Sequence, residues 1–212
     1  LTPLVLFGAA GRLDWAMGWV YVGMVLFFTL ASRLVVLRIS PDLLAERARS
    51  LEATDAKPWD KAIVPLIAVL GPLAILIVAG LDQRNAWSPP VTQAAQLIAL
   101  AVIVLGYLFG TWAMAVNRFF SGVVRIQKDR RHVTVTAGPY RFVRHPAYAA
   151  SIAVNLAVPI MLASMWALVP GVLTSLLVIV RTALEDNTLQ AELPGYTEYA
   201  QRTRYRLLPG VW

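Results

Sequence analysis

From Tyr148 to Val180 the chain runs for 33 residues without a charged side chain. A helix that crosses a membrane needs about 20 mostly apolar residues, so this stretch is too long for one ordinary span. Pro159 and Pro170 flank the segment LASMWAL. We read the run as a tight helical hairpin that turns near Ser164. Immediately before it stands TAGPYRFVRHPAY, residues 136–148, a stiff segment dense in cations and rings. Any fold for this chain has to explain a basic, hydrogen-bonding loop set against an apolar hairpin.

Composition supports a membrane setting. Apolar residues make up 58% and charged residues 15% of the chain, with a mean hydropathy of +0.62. Soluble domains run at roughly 45–50% apolar and about 25% charged. Three further spans are expected at about Trp15–Val36, Ala62–Leu81 and Val91–Val116. Pro65 and Pro72 fall inside the second, and proline is tolerated in membrane helices. The stretch TSLLVIVRTALEDNTLQAEL reads as a helix leaving the membrane, and PGYTEYAQRTRYRLLPGVW as a polar tail. The expected fold is an all-α integral membrane protein of about five transmembrane helices. Spans four and five form the hairpin, followed by a cytoplasmic C-terminal helix and tail. The N-terminal spans occupy residues 1–117, and the motif loop, the hairpin and the tail form one unit over residues 118–212.

Charge sets the orientation. Arg38, Arg47, Arg49, Lys57 and Lys61 lie in one loop. Arg118, Arg125, Lys128, Arg130, Arg131, Arg141 and Arg144 lie in another, and Arg181, Arg202, Arg204 and Arg206 lie at the tail end. Against these sixteen, the opposite side has Arg12 and Arg84. Positive residues concentrate on the cytoplasmic side, so the N-terminus is expected outside and the three basic segments in the cytoplasm of an inner-membrane protein. The net charge of +7 is accounted for in this way, and no nucleic-acid partner is expected. The opening LTPLVLFGAAGRLDW has no basic n-region and is not read as a cleavable signal peptide. Cysteine is absent, which excludes disulfides, iron–sulfur ligation and zinc–thiolate sites. With His132 and His145 the only histidines, no metal site is expected. No internal repeat suggests a transporter.

An antiparallel hairpin brings its two ends together, so RHPAY (144–148) and RTALE (181–185) should meet at one membrane boundary. Pro146 suits the first turn of a helix. His145, Tyr148 and the amides of that helix start can hydrogen-bond a polar ligand. Tyr140, Phe142 and Tyr148 offer faces to a flat heterocycle or a cation. Arg181 presents a fork that fits a carboxylate, and Glu185, four residues on, shares its helical face. Other readings stand beside this one. Arg141 and Arg144 can touch lipid headgroups, and Arg181 can snorkel with Glu185 as its i,i+4 partner. The tyrosines can form an interfacial belt. The tryptophans read as packing or interface anchors.

GPYRFVRHPAY, the apolar hairpin and the downstream RTALE…LPGYTEYAQRTRYRLLPGVW resemble the isoprenylcysteine carboxyl methyltransferase family in its bacterial and archaeal branch, over about Asn117–Trp212. The resemblance implies a helical membrane enzyme that binds S-adenosyl-L-methionine from the cytoplasm. By the same resemblance, Gln127, His132, Val133, Thr134, Val135, Tyr140, His145, Pro146, Ala147, Tyr148 and Glu185 would line the cofactor. Arg181 would bind the methyl acceptor, and Arg181 and Glu185 would carry catalysis. Two departures are visible: Ala150 stands where the motif often has glycine, and the acidic run after the arginine is reduced to ALED. The implied partners are membrane lipids and a lipophilic small molecule or lipidated substrate, with a carboxylate as the expected acceptor. Two alternatives stand beside this reading. One is an NADPH-dependent reductase of the sterol-reductase type, with Arg130 and Arg131 on the ribose phosphate. The other is a non-catalytic lipid-binding membrane protein.

Overall fold

A computed structural model describes residues 1–49 and 53–212. Residues 50–52 of the first basic loop, and the side chain of Arg49 counted among its cations, lie outside the described residues. The helices are α1 (Thr2–Ala10), α2 (Ala16–Ile39), α3 (Pro41–Arg49), α4 (Pro58–Pro65), α5 (Gly71–Asn85), α6 (Gln93–Val116), α7 (Pro146–Met161), α8 (Leu168–Glu192) and α9 (Tyr196–Arg202). Among the described residues there is no strand. The protein is all-helical, as its sequence led us to expect.

Among the described residues, four helical stretches are long and apolar enough to cross a membrane: Ala16–Ile39, Pro58–Asn85, Gln93–Val116 and Leu168–Glu192. Large apolar side chains stand exposed along them, among them Phe27, Leu105 and Leu173. Such a surface belongs in hydrocarbon rather than in water. The expected fourth span is α7, an apolar helix of 16 residues. At about 1.5 Å per residue it covers about 24 Å, short of the roughly 30 Å hydrocarbon core. The second span is continuous through Pro65. A π-helical turn, Leu66–Leu70, joins α4 to α5, and Gly71 N–H reaches back to Leu66 O. Proline removes one rung of the ladder, and a π-turn is a common way to carry a helix past such a point.

The chain packs as two compact units, each built from three chain segments. The first comprises Leu1–Ala31, Pro65–Tyr107 and Ser151–Leu177. Its core gathers Leu6, Phe7, Trp15, Phe28, Ile75, Leu76, Ile103, Met161 and Leu162. Helix α1, which the sequence reading did not assign, packs on α5. A Cβ added at Gly80 would come within 2.6 Å of Ala9 Cβ and 2.7 Å of Leu6 O, so only glycine permits this approach. Gly11, at φ 65°, ends α1 with its N–H on Phe7 O. The hairpin turn lies between Met161 and Leu168, with Ser164 inside it. Ser164 Oγ donates to the buried Asp82 at 2.5 Å. Ser88 N–H and Oγ bond the same carboxylate at 2.8 and 2.5 Å, which ties the connection after α5 to this turn.

The second unit comprises Ser32–Val64, Leu108–Ala150 and Val178–Trp212. Its apolar centre is Ala113, Tyr140, Leu193, Tyr196 and Tyr199. Much of the first basic loop is helical, as α3 and the start of α4. The second is an irregular segment with two short 3-10 turns, Lys128–Arg130 and Gly138–Arg141. Arg125 binds these parts together: it makes a two-bond fork with Glu46 of α3, both bonds 2.9 Å, and reaches Asp55 at 2.9 Å and Asp129 at 3.0 Å.

Candidate active site

The motif loop is shaped by its punctuating residues. Gly138 sits at φ +57°, and a Cβ there would come within 2.9 Å of Val116 Cγ2, so this position needs glycine for both reasons. Pro139 follows at the start of the 3-10 turn, and Pro146 opens α7. Between them, the N–H groups of Arg144 and His145 donate to Tyr205 O and Arg206 O, each at 2.9 Å. The C-terminal tail is thereby laid along the motif by main-chain bonds.

The two motif segments meet. Tyr148 Oη donates to Glu185 Oε2 at 2.5 Å. The Arg181 guanidinium lies over the Tyr148 ring, 5.2 Å from its centroid. The His145 ring is parallel to that of Tyr148, with centroids 5.6 Å apart. Arg181 does not take Glu185 as its i,i+4 partner. It is 6% exposed, and its Nε and Nη2 bond Asp60 at 2.7 and 3.1 Å. Nη2 also donates to Gly122 O at 3.1 Å. The snorkelling alternative is therefore set aside: this arginine is buried and paired with a carboxylate from α4. Asp60 went unnoticed in the sequence because its partner lies 121 residues away.

Asp186 is the second acidic residue the sequence reading passed over, in favour of its neighbour Glu185. It is fully buried. Arg144 grips it with Nε at 2.7 Å and Nη2 at 2.9 Å. Arg206 Nε, Gln190 Nε2 and Tyr196 Oη donate at 2.8, 2.8 and 3.0 Å. His145 Nε2 lies 3.2 Å from the same carboxylate. Arg144 Nη1 then caps the carbonyls of Thr203 and Arg204, each at 2.8 Å. Arg144 is consequently not a headgroup contact. Burial works against its charge, yet the bonds to Asp186 hold its pKa above the ordinary value. Within RHPAY the labour divides: Arg144 and His145 face Asp186, Pro146 starts the helix, and Tyr148 faces Glu185 and Arg181. Ala147 is half-buried and packs toward Tyr140 and its neighbours.

The upstream residues are spread more widely. Gln127 is fully buried; its Nε2 donates to Phe119 O at 2.7 Å and its Oε1 accepts from Arg130 Nη1 at 2.7 Å. Arg130, which the reductase alternative would place on a ribose phosphate, is engaged there and with Asp42 at 3.4 Å. Val133 is 58% exposed. Thr134 Oγ1 donates to Pro194 O at 3.1 Å, and Val135 packs on the Tyr140 cluster. Tyr140 is buried, accepts from Asn117 Nδ2 at 3.1 Å, and lends its carbonyl to Tyr199 Oη at 2.7 Å. Burial raises the pKa of its phenol.

His132 lies against the Phe119 ring, with centroids 4.5 Å apart. Its Nδ1 accepts the Gln127 N–H at 3.4 Å, which only an unprotonated nitrogen can do. Burial, and then the charges of Arg125 and Arg130, lower its pKa to about 4. An NMR titration of the histidine rings should find this midpoint near 4 instead of 6.5. The folded state then binds fewer protons than the unfolded chain between these values, so stability should fall as pH drops through that window and be insensitive to this residue above it. A midpoint at the ordinary value would mean that the ring is solvated.

Among curated proteins no sequence matches this chain. The family model of the isoprenylcysteine carboxyl methyltransferase (ICMT) family matches residues 97–191. That span holds most of α6, the whole motif loop, α7 and nearly all of α8, and with them Tyr148, Arg181, Glu185 and Asp186. The match falls on the helices and loop that carry this constellation, and it supports an isoprenylcysteine carboxyl methyltransferase family assignment.

Proposed function

We propose that this protein methylates a lipophilic acceptor, at an isoprenylcysteine-like carboxylate, with S-adenosylmethionine as methyl donor and at the cytoplasmic face of the membrane. The observation that carries this reading is the Tyr148–Glu185–Arg181 constellation. It sets a half-buried carboxylate and an aromatic face beside a buried guanidinium. Glu185 and the Tyr148 ring suit a cationic ligand, and the guanidinium suits an anionic one. A methyl donor with a sulfonium and an acceptor with a carboxylate have this complementary pair of charges. When bound, S-adenosylmethionine supplies a methyl group whose transfer to a carboxylate oxygen leaves a neutral thioether and moves no proton.

The protein's own share is to bind, align and exclude water. A carboxylate acceptor has a pKa near 4 and is ionised at neutral pH, so no general base is required of His145 or Glu185. Glu185, Tyr148 and Tyr140 are assigned to the cofactor, and Arg181 to the acceptor carboxylate. Of the remaining residues expected at the cofactor, the buried Gln127, His145 and Pro146 support the loop, with His132 against Phe119, while Val133, Thr134, Val135 and Ala147 are more open. The sixteen-to-two bias of cations supports a cytoplasmic site and an external N-terminus. The exposed apolar helices support an acceptor that arrives through the lipid.

The test is calorimetric titration of the purified chain with S-adenosylhomocysteine and, in parallel, with NADPH. S-adenosylhomocysteine is expected to bind in the micromolar range and NADPH not at all. Glu185→Gln is expected to weaken binding of S-adenosylmethionine, which carries the sulfonium, about ten-fold, the loss of one charge-assisted contact. Binding of NADPH alone would replace transfer of a methyl group with transfer of a hydride. Binding of neither by folded protein would leave the constellation a structural one.

A further inference from the structure

The assignments above leave Asp60 without a role, although it is the most thoroughly engaged partner of Arg181. It is fully buried in the first turn of α4. Oδ1 takes Arg181 Nε at 2.7 Å, and Oδ2 takes Nη2 at 3.1 Å and the Val124 N–H at 2.6 Å. Arg181 Nη2 spends its other hydrogen on Gly122 O at 3.1 Å. A guanidinium has five N–H donors. Among the described residues, these bonds take the Nε hydrogen and both hydrogens of Nη2, and Nη1 is the edge they leave. A second carboxylate therefore cannot form a two-bond fork with this arginine, because each fork needs an Nη2 or Nε hydrogen already in use. It can be held through Nη1 alone.

That restriction matters for a carboxylate that has to act as a nucleophile. A fork engages both oxygens and spreads the positive charge over both. Attachment through one nitrogen leaves the second oxygen with its lone pairs clear. Asp60 also offsets the charge of Arg181 at close range, so an anionic acceptor is attracted without being held in a full ion pair.

On the methyl-transfer reading given above, we propose that Asp60 is a positioning residue: it reserves the Nε/Nη2 edge of Arg181, so that the acceptor carboxylate is confined to the Nη1 edge with one oxygen left to attack. The consequence is unusual for a buried acidic residue. Neutralising Asp60 should improve binding of the acceptor while impairing its turnover, because the Arg181 charge is then no longer offset and holds the acceptor carboxylate in a full ion pair.

The experiment uses the full chain in detergent, saturated with S-adenosylhomocysteine. An N-acylated S-prenyl cysteine and its uncharged primary amide are titrated into wild-type protein and Asp60→Asn, and turnover of the acid is measured with S-adenosylmethionine. For Asp60→Asn we expect turnover at saturating acid to fall about ten-fold or more, while the acid binds at least as tightly as before and gains about three-fold or more over the amide. Affinity for S-adenosylhomocysteine should stay within about three-fold. A parallel loss of affinity for acid, amide and S-adenosylhomocysteine would make Asp60 a structural anchor and overturn the proposal; so would unchanged turnover. If Asp60→Asn does not fold, wild-type protein decides. With Asp60 offsetting Arg181, acid and amide should bind within about ten-fold of each other, and a larger preference for the acid would overturn the proposal. Wild-type protein that binds S-adenosylhomocysteine but methylates no acid would instead sink the carboxylate-acceptor reading, and Asp60's role with it. Turnover of the wild type reads that failure, whereas the comparison of Asp60→Asn with wild type reads the failure of the proposal itself.

Discussion

Asp186→Asn is expected to lower the stability of the protein by about 3–5 kcal/mol, the cost of removing one partner from a buried ion pair. Asp186 is fully buried and takes both the Arg144 fork and Arg206 Nε. The amide that replaces it presents an N–H₂ where these donors point. Two guanidinium groups would be left in a site built to neutralise them, with Tyr196 and His145 losing the same acceptor. For a chain of this size the loss corresponds to a fall in Tm of order 10 °C. Hydrogen exchange localises the effect. The Arg144 and His145 amides are bonded to Tyr205 O and Arg206 O, and both should exchange faster once Arg206 no longer anchors the tail. A Tm within about 2 °C of wild type, with the two amides still protected, would mean that the main-chain bonds hold the tail without Asp186.

Arg181→Lys is expected to cut methyl transfer at least about 100-fold while leaving the affinity for S-adenosylhomocysteine within about three-fold. Lysine is the sharper replacement because of Asp60. Alanine would abandon a fully buried carboxylate and would confound lost catalysis with lost stability, whereas an ammonium still neutralises Asp60. What lysine lacks is the planar fork, which bonds Asp60 and Gly122 while keeping a further edge for a ligand. A point charge cannot serve three partners in fixed directions. Steady-state kinetics alongside calorimetry checks this. Turnover within a few-fold of wild type would remove Arg181 from the acceptor site, and a parallel collapse of S-adenosylhomocysteine affinity would move it to the cofactor.

Much of the site was legible in the chain because it is local. Pro146 needs a helix start, Gly138 needs a left-handed turn, and an uncharged run too long for one span has to fold back on itself. Once it does, RHPAY and RTALE are brought together, and the structure adds the bond from Tyr148 to Glu185. Helix α1 was not legible in this way. Its nine residues are too few to span, and its helix is supported by a close approach to Gly80 that no local pattern announces. The apolar run placed the hairpin turn near Ser164, but hydropathy says where hydrocarbon is tolerated and not that α7, at 16 residues, is shorter than the bilayer core.

The sequence by itself therefore determined the helical membrane class, the hairpin and the identity of the segments that meet. All of these follow from hydropathy, from proline and glycine geometry, and from the spacing of residues on one strip of chain. Only the tertiary structure decided how the charges are paired: Arg181 with Asp60 and not Glu185, Arg144 and Arg206 with Asp186 and not with lipid. The physical reason is that a charge removed from water must find an opposite charge within hydrogen-bonding distance. Which one it finds depends on the packing of segments up to 121 residues apart, and adjacent acids such as Glu185 and Asp186 are sent to different partners by the 100° that separates them around the helix.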